Sequence, residues 1–265
     1  MQAWFRATGA AVLTGIEAVG GLAVLFARTV TGLFRKRPRR RVVLEQMHQV
    51  GNKSLPVVLT TGAFTGMVLA AQTYFQFRKL AGMEAQVGAV VGVSLVKELG
   101  PVLTALMLAG RVGAAITAEL GTMRVTEQID ALETLGTDPV RYLVTPRFLS
   151  CFLLLPLLTV MADVIGMIGG YLVAVEVYGV DSHYYVEHTC LNVTAYAVTA
   201  GVIKSFVFGT IIAMVACYKG FHSKGGAEGV GRATCESVVA ACIAILISNF
   251  FLTLAIEGVH DALVA

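Results

Sequence analysis

Charge is what this sequence has least of. Only 14% of its 265 residues are Asp, Glu, Lys or Arg, against about 25% in ordinary soluble domains. With a hydrophobic share of 56%, that shortage excludes an ordinary soluble domain and implies an integral membrane protein. The apolar runs lack the period-two alternation of membrane barrel strands, which leaves helices. Cysteine is sparse too: Cys151, Cys190, Cys217, Cys235 and Cys242 include no CxxC pair. An odd count at these spacings supports neither a disulfide framework nor a zinc site, and the residues read as small apolar packing groups. Catalytic motifs are missing as well. No HExxH occurs, and GVSL (Gly92–Leu95) lacks the second Gly of GxSxG. The Gly-rich stretch SKGGAEGVGRAT (Ser223–Thr234) lacks GxxxxGK[ST] and follows no strand, so the chain carries no nucleotide site of its own. His183 and His188, with Glu187 between them, could hold a metal, but their five-residue spacing suits one helical face poorly, so they read as a chance cluster and no metal ligand is assigned. No residue is assigned as catalytic.

What is present is a set of long apolar runs. Ser54–Phe77, Phe148–Val175, Ala195–Cys217 and Ser237–Ile256 each reach the roughly 20 residues a helix needs to cross a bilayer core. Between Gly82 and Ala118 the runs are shorter. Ala85–Val96 is too short to cross alone, whereas Val102–Ala118 contains Arg111. One crossing is expected here, with the earlier run as a lead-in or re-entrant piece. Residues 9–34 are interrupted by Glu17 and by Gly20-Gly21, and fit a helix lying in the interface better than a true crossing. With only Arg6 ahead of that stretch, a cleaved signal peptide is not expected. The chain thus divides into residues 1–53, an interfacial helix with a basic segment, and residues 54–265, a five-span domain.

Loop charges set the topology. The basic run RKRPRRR (Arg35–Arg41) directly precedes a span, so it reads as a cytoplasmic flank near anionic lipid and not as a nucleic-acid arm. Residues 119–147 and 218–236 carry Lys and Arg, whereas residues 178–194 and the tail from Glu257 carry none. Five crossings with the N-terminus inside and the C-terminus outside satisfy the positive-inside rule at nearly every loop, the exception being the one after the first span, which carries Arg78 and Lys79.

Two constellations invite a function. Val125, Ile129, Leu132 and Leu135 form one helical stripe, with Thr126 placed to cap it and Gly136 to end it. Glu127, Asp130 and Glu133 give this helix an acidic face. A helix lying on the bilayer usually presents basic residues to the headgroups, so the acids favour a protein partner over a plain surface helix. The second constellation is the set of charges inside the spans: Lys97, Glu98, Arg111, Asp163, Glu176 and Lys204. A charge at mid-membrane costs roughly 2.5–3.5 kcal/mol on insertion scales, so such residues face a bundle interior or a wet cavity. Arg111 and Glu176 also fit snorkelling near span ends. Asp163, beside Gly166 and Gly169-Gly170, suits a tight helix contact. Pro101 frees the Lys97 carbonyl and disfavours helical geometry at Gly100, which predicts a broken helix beside the Lys97-Glu98 pair.

The stretch VKELGPVLTALMLAGRVGAAITAELGTMRVTEQIDALETLGTDPVRYLVTPR (Val96–Arg147) closely resembles the MlaE/YrbE permease family of ABC lipid transporters, and GAEGVGRAT (Gly226–Thr234) resembles a second block of that family. The resemblance implies an all-α polytopic inner-membrane permease of five transmembrane helices, an N-terminal interfacial helix and a cytoplasmic coupling helix. It implies a homodimer that docks a separate ATPase carrying the ATP and Mg²⁺. It further implies an outer MCE-domain protein, typically a hexamer, and in some systems a STAS-domain protein. The cargo implied is phospholipid moving between inner and outer membranes. Glu127, Gln128, Ile129, Asp130, Leu132 and Glu133 match the coupling helix. Lys97, Glu98 and Leu99 match the lipid-cavity wall, with Lys97 where relatives often carry Arg, so bidentate phosphate contact is lost while the charge stays. Tyr74 and Phe77, near the proposed cavity mouth, and Lys204, suited to a headgroup phosphate, complete the expected lipid site; the aromatics equally suit an interfacial belt. An ion-coupled secondary transporter or channel using the same buried charges is the competing class.

Overall fold

The computed structural model describes residues 2–35, 40–79 and 86–264, and among these residues every regular element is helical. α1 (Gln2–Arg35) and α2 (Arg40–Gly51) lead into α3 (Leu55–Phe77). α4 (Val87–Val125) follows, then the short α5 (Gln128–Thr134) and α6 (Val140–Val177). α7 (Ser182–Asn192), α8 (Ala195–Phe221) and α9 (Gly226–Val264) complete the described chain. Among the described residues, five helical stretches are long and apolar enough to cross a membrane: Arg40–Phe77, α4, α6, α8 and Gly226–Ala262 within α9. The most apolar part of α1, Val19–Leu33, is shorter than a crossing requires. α1 instead packs across the start of α6 and the far end of α8, where the Tyr218 ring lies so close to Gly21 that a Cβ there would fall 2.7 Å from it.

α8 is the central post. Of its most apolar window 67% is buried, against 11% for α9, so α8 packs inside the bundle and α9 along its side. α8 bears on both α4 and α6 through glycines. A Cβ at Gly201 would lie 2.2 Å from the Val96 carbonyl oxygen, and one at Gly209 2.7 Å from that of Cys151. α3 and α6 meet still more closely. A Cβ at Gly66 would fall 1.8 Å from the Gly166 carbonyl oxygen, and one at Gly62 2.6 Å from that of Ala162. Small residues permit this approach, and dispersion between touching backbones is what holds helices together where lipid removes the hydrophobic drive. Asp163 of α6 faces α4, where a Cβ at Gly100 would fall 1.7 Å from its Oδ1.

α4 departs from expectation. The Ala85–Val96 run is no re-entrant lead-in; from Val87 it is the first part of one 39-residue helix ending at Val125. The predicted break at Gly100-Pro101 does not occur, because the chain widens into a π-turn at Leu95–Leu99 and Gly100 stays helical (φ −58°, ψ −57°). The Gly100 N–H reaches back to the Leu95 carbonyl, so bonding has already shifted by one residue before Pro101 removes its donor. A second π-turn, Ala109–Gly113, holds Arg111. Two more, Val140–Val144 and Leu172–Val177, bound the α-helical part of α6 and hold Arg141 and Glu176.

At the far end from the basic segment, α7 closes over the start of α4. The Asp181 carboxylate caps it by accepting from the His183 and Tyr184 N–H groups at 2.8 and 3.4 Å. Its Tyr185 is buried against Gly88 and Gly170; burial pushes that hydroxyl up to about 12, so it packs as a neutral post at any physiological pH.

Candidate functional site

The π-turn at Leu95–Leu99 brings two charges into the membrane-spanning bundle, and each finds a partner on a different helix. Glu98 Oε1 accepts from Lys204 Nζ of α8 at 2.6 Å, and Glu98 Oε2 accepts from Asn249 Nδ2 of α9 at 3.1 Å. The Thr253 hydroxyl lies 3.2 Å from Oε1. Lys97 pairs with Glu257 of α9 and lies over the Tyr196 ring, 5.5 Å from its centroid. Tyr196 in turn donates to the Ile256 carbonyl at 3.1 Å. Lys97 and Glu98 therefore do not neutralise each other, which their positions on adjacent helix residues would not allow.

Lys204 is the most enclosed member, with its side chain 1% exposed. Its three N–H donors are all used: Glu98 Oε1 at 2.6 Å, Thr253 Oγ1 at 2.8 Å, and the Lys97 carbonyl at 3.1 Å. In an unbroken α-helix that carbonyl would look to Pro101, which has no N–H, and here the ammonium donates to it. The structure accordingly holds Lys204 as an internal partner of Glu98, with no donor free for a headgroup in this conformation. The outer members are half open: side-chain exposure is 35% for Glu98, 25% for Lys97 and 38% for Glu257.

Of the other residues expected at a lipid site, Leu99 and Phe77 pack against an apolar cluster that includes Tyr74, Val87, Val91 and Tyr185. Tyr74 is 9% exposed and stacks on Tyr178 at 4.5 Å, whereas Phe75 points outward at 53%. The structure thus joins Lys97, Glu98 and Lys204, and places Tyr74 and Phe77 in a neighbouring apolar layer reached through Leu99. Sequence reasoning missed Asn249, Thr253 and Glu257. Their signal was a polar residue at every fourth position of an otherwise apolar run, one stripe along a helix.

The acidic helix begins later than its pattern suggested. Thr126 does not cap it; its hydroxyl donates to the Thr122 carbonyl at 2.8 Å. Glu127 occupies the cap position in a left-handed conformation (φ 59°), and Gly136 (φ 72°) follows the end as expected. Ile129 is buried at 2% exposure and Leu132 packs on the main core, while Leu135 is 78% exposed. Two anchors therefore fix α5 and leave Glu127, Gln128, Asp130 and Glu133 on the surface, with Asp130 paired to Arg124.

A helical bundle with five candidate membrane spans, paired charges between those spans and an exposed acidic helix at one end defines a polytopic membrane permease. The chain belongs to the MlaE permease family, whose sequence model matches residues 43–255. It is 45% identical over 237 residues to a probable ABC transporter permease of Rickettsia conorii, covering 89% of this chain and 91% of that one. It is 35% identical over 256 residues to the intermembrane phospholipid transport system permease protein MlaE of Haemophilus influenzae, covering 96% and 98%. It is also 36% identical over 241 residues to the chloroplastic protein trigalactosyldiacylglycerol 1 of Arabidopsis thaliana, covering 91% and 69%.

Proposed function

We propose that this chain is the membrane subunit of an ABC transporter that moves phospholipids between two membranes, and that the Lys97-Glu98 wall meets the lipid. The observation that carries this reading is a half-open cluster of paired charges lodged between spans. In a bilayer such groups persist only against protein, water or a polar headgroup. A second copy of the chain covers the open side of the cluster and completes a cavity around the lipid. Lys97 faces the headgroup phosphate, Glu98 faces its cationic or hydroxyl part, and Leu99, Tyr74 and Phe77 contact acyl chains. Lys204 positions Glu98.

The driving force enters at the other end. A separate cytoplasmic ATPase carries ATP and Mg²⁺ and receives α5 through Glu127, Gln128, Asp130 and Glu133. Ile129 and Leu132 transmit its movement into the core. Because α5 follows α4 after a two-residue turn, a push on α5 reaches the Lys97-Glu98 turn along one helix. The N-terminus is cytoplasmic and the C-terminus periplasmic, with α7 facing an MCE-domain protein that exchanges the lipid; a STAS-domain protein accompanies the ATPase.

The double variant Glu98→Gln/Lys204→Met, which removes the carboxylate without leaving Lys204 unpaired, is expected to abolish ATP-dependent transfer of phosphatidylethanolamine from proteoliposomes containing the assembled transporter, with expression and ATPase docking kept. Full transfer by that variant would refute the cavity role. One observation favours an ion-coupled transporter instead: Asp163 is buried and its Oδ1 has no partner among the described residues. That reading predicts transport driven by a proton gradient without the ATPase and lost in Asp163→Asn.

A further inference from the structure

A polar cleft lies about 14 residues along α4 from the Lys97-Glu98 pair, toward α2. It offers about 160 Å³ in an open cleft between α2 and α4 and is lined by Gln46, Gln49, Lys53, Arg111 and Glu119 together with apolar side chains. A single water needs about 10–15 Å³ of such space, so the cleft has room for a phosphate group with part of its ester arm.

The lining is short of negative charge. Arg111 is carried by the π-turn Ala109–Gly113, and its Nη1 is buried with no hydrogen-bond partner among the described residues. Glu119, the one carboxylate among the lining residues, accepts from Arg147 at 2.9 Å, so its charge is already matched. Lys53 has no ion pair among the described residues and stands at the cavity rim. A guanidinium offers five donors and no acceptor. A buried donor left unpaired is costly, and an anionic oxygen is its strongest partner. Gln46 and Gln49 add neutral donors suited to ester oxygens.

We propose that this cavity binds the phosphodiester of a membrane lipid, held by Arg111 and Lys53, as a site separate from the Lys97-Glu98 cluster. The proposal rests on the reading that the cargo is a phospholipid and names a second station for it. Apolar Val50 and Ile116 form the wall beside the cations, so an acyl arm leaves the cavity along the α2–α4 seam toward the bilayer.

Photo-crosslinking tests it with the purified full-length chain in dodecyl maltoside micelles. A photoreactive residue replaces Gln49, or Asn249 as the reporter of the first site, and the probes are phosphatidylglycerol, diacylglycerol and inorganic phosphate, with phosphatidylethanolamine as the phospholipid at Asn249. Phosphatidylglycerol should crosslink at Gln49, and Arg111→Gln should lower that yield about tenfold, as loss of a charge-assisted contact predicts. Lys53→Gln should lower it less, Arg111→Lys should retain part of it, and crosslinking at Asn249 should not change. Thermal unfolding separates a ligand-binding Arg from a structural one: without added lipid, Arg111→Gln should be at least as stable as the parent. An unchanged yield in Arg111→Gln overturns the proposal, as does equal crosslinking by diacylglycerol. Displacement of the lipid by inorganic phosphate at equal concentration assigns the site to the free ion and overturns its lipid role. Loss of phospholipid crosslinking at both positions sinks the transport reading itself, whereas loss at Gln49 alone sinks only this one.

Discussion

Glu98 and Lys204 illustrate how one residue's cost depends on another's presence. Removing one member of a buried pair leaves an uncompensated charge, typically a loss of about 3–5 kcal/mol, while replacing both is often neutral. Lys204 is the buried partner at 1% exposure, so Glu98→Gln should destabilise the chain by about 3 kcal/mol. The double variant Glu98→Gln/Lys204→Met should recover most of that loss, read by thermal unfolding in detergent. The same residues mark the limit of sequence reasoning. Lys97, Glu98 and Lys204 stood out because each is expensive in an apolar run. Their partners Asn249, Thr253 and Glu257 lie more than 40 residues from Lys204 and some 150 from Glu98, a distance no local pattern bridges. The Lys97 carbonyl was legible as an orphan from Pro101; the donor that satisfies it was not.

Among the elements, the α3–α6 contact makes the sharpest demand. Gly66→Ala puts a methyl 1.8 Å from the Gly166 carbonyl oxygen, and overpacking of this kind costs about 1–3 kcal/mol or more. Gly110, with nothing within 4 Å, is the matched control, and Gly110→Ala should leave the unfolding midpoint unchanged. α5 carries a different prediction. Reversing Glu127 and Glu133 to Lys should abolish co-purification of the ATPase while the chain still folds, because both side chains are exposed and Ile129 keeps its anchor. The acidic face and its apolar anchors were visible in spacing alone. The continuity of α4 was not, because a proline and two charges read locally as a break. A π-turn absorbs such a disturbance by adding a residue to the turn, a solution that depends on what packs around it.

At the scale of the whole molecule, five crossings followed from run length and loop charge, and the five candidate spans agree with that count. Orientation rests on the loop charges and can be tested with the native cysteines. Cys190 on α7 and Cys235 near the start of α9 are exposed, at opposite ends of the bundle, while Cys151 and Cys217 are buried. In cells with a permeabilised outer membrane, a membrane-impermeant maleimide should label Cys190 and spare Cys235. The reverse pattern would invert the topology.

The Lys97, Glu98, Lys204 and Glu257 cluster also sets an electroneutrality rule, since its two cations and two carboxylates sum to zero. A zwitterionic headgroup enters such a site without disturbing the balance. A singly anionic headgroup adds one uncancelled charge in a poorly solvated place and must bring a counter-ion with it. The cluster should therefore discriminate by net headgroup charge and not by headgroup size. In a direct competition, phosphatidylethanolamine should displace phosphatidylglycerol from it. Glu257→Gln, which leaves one surplus positive charge, should reverse that order.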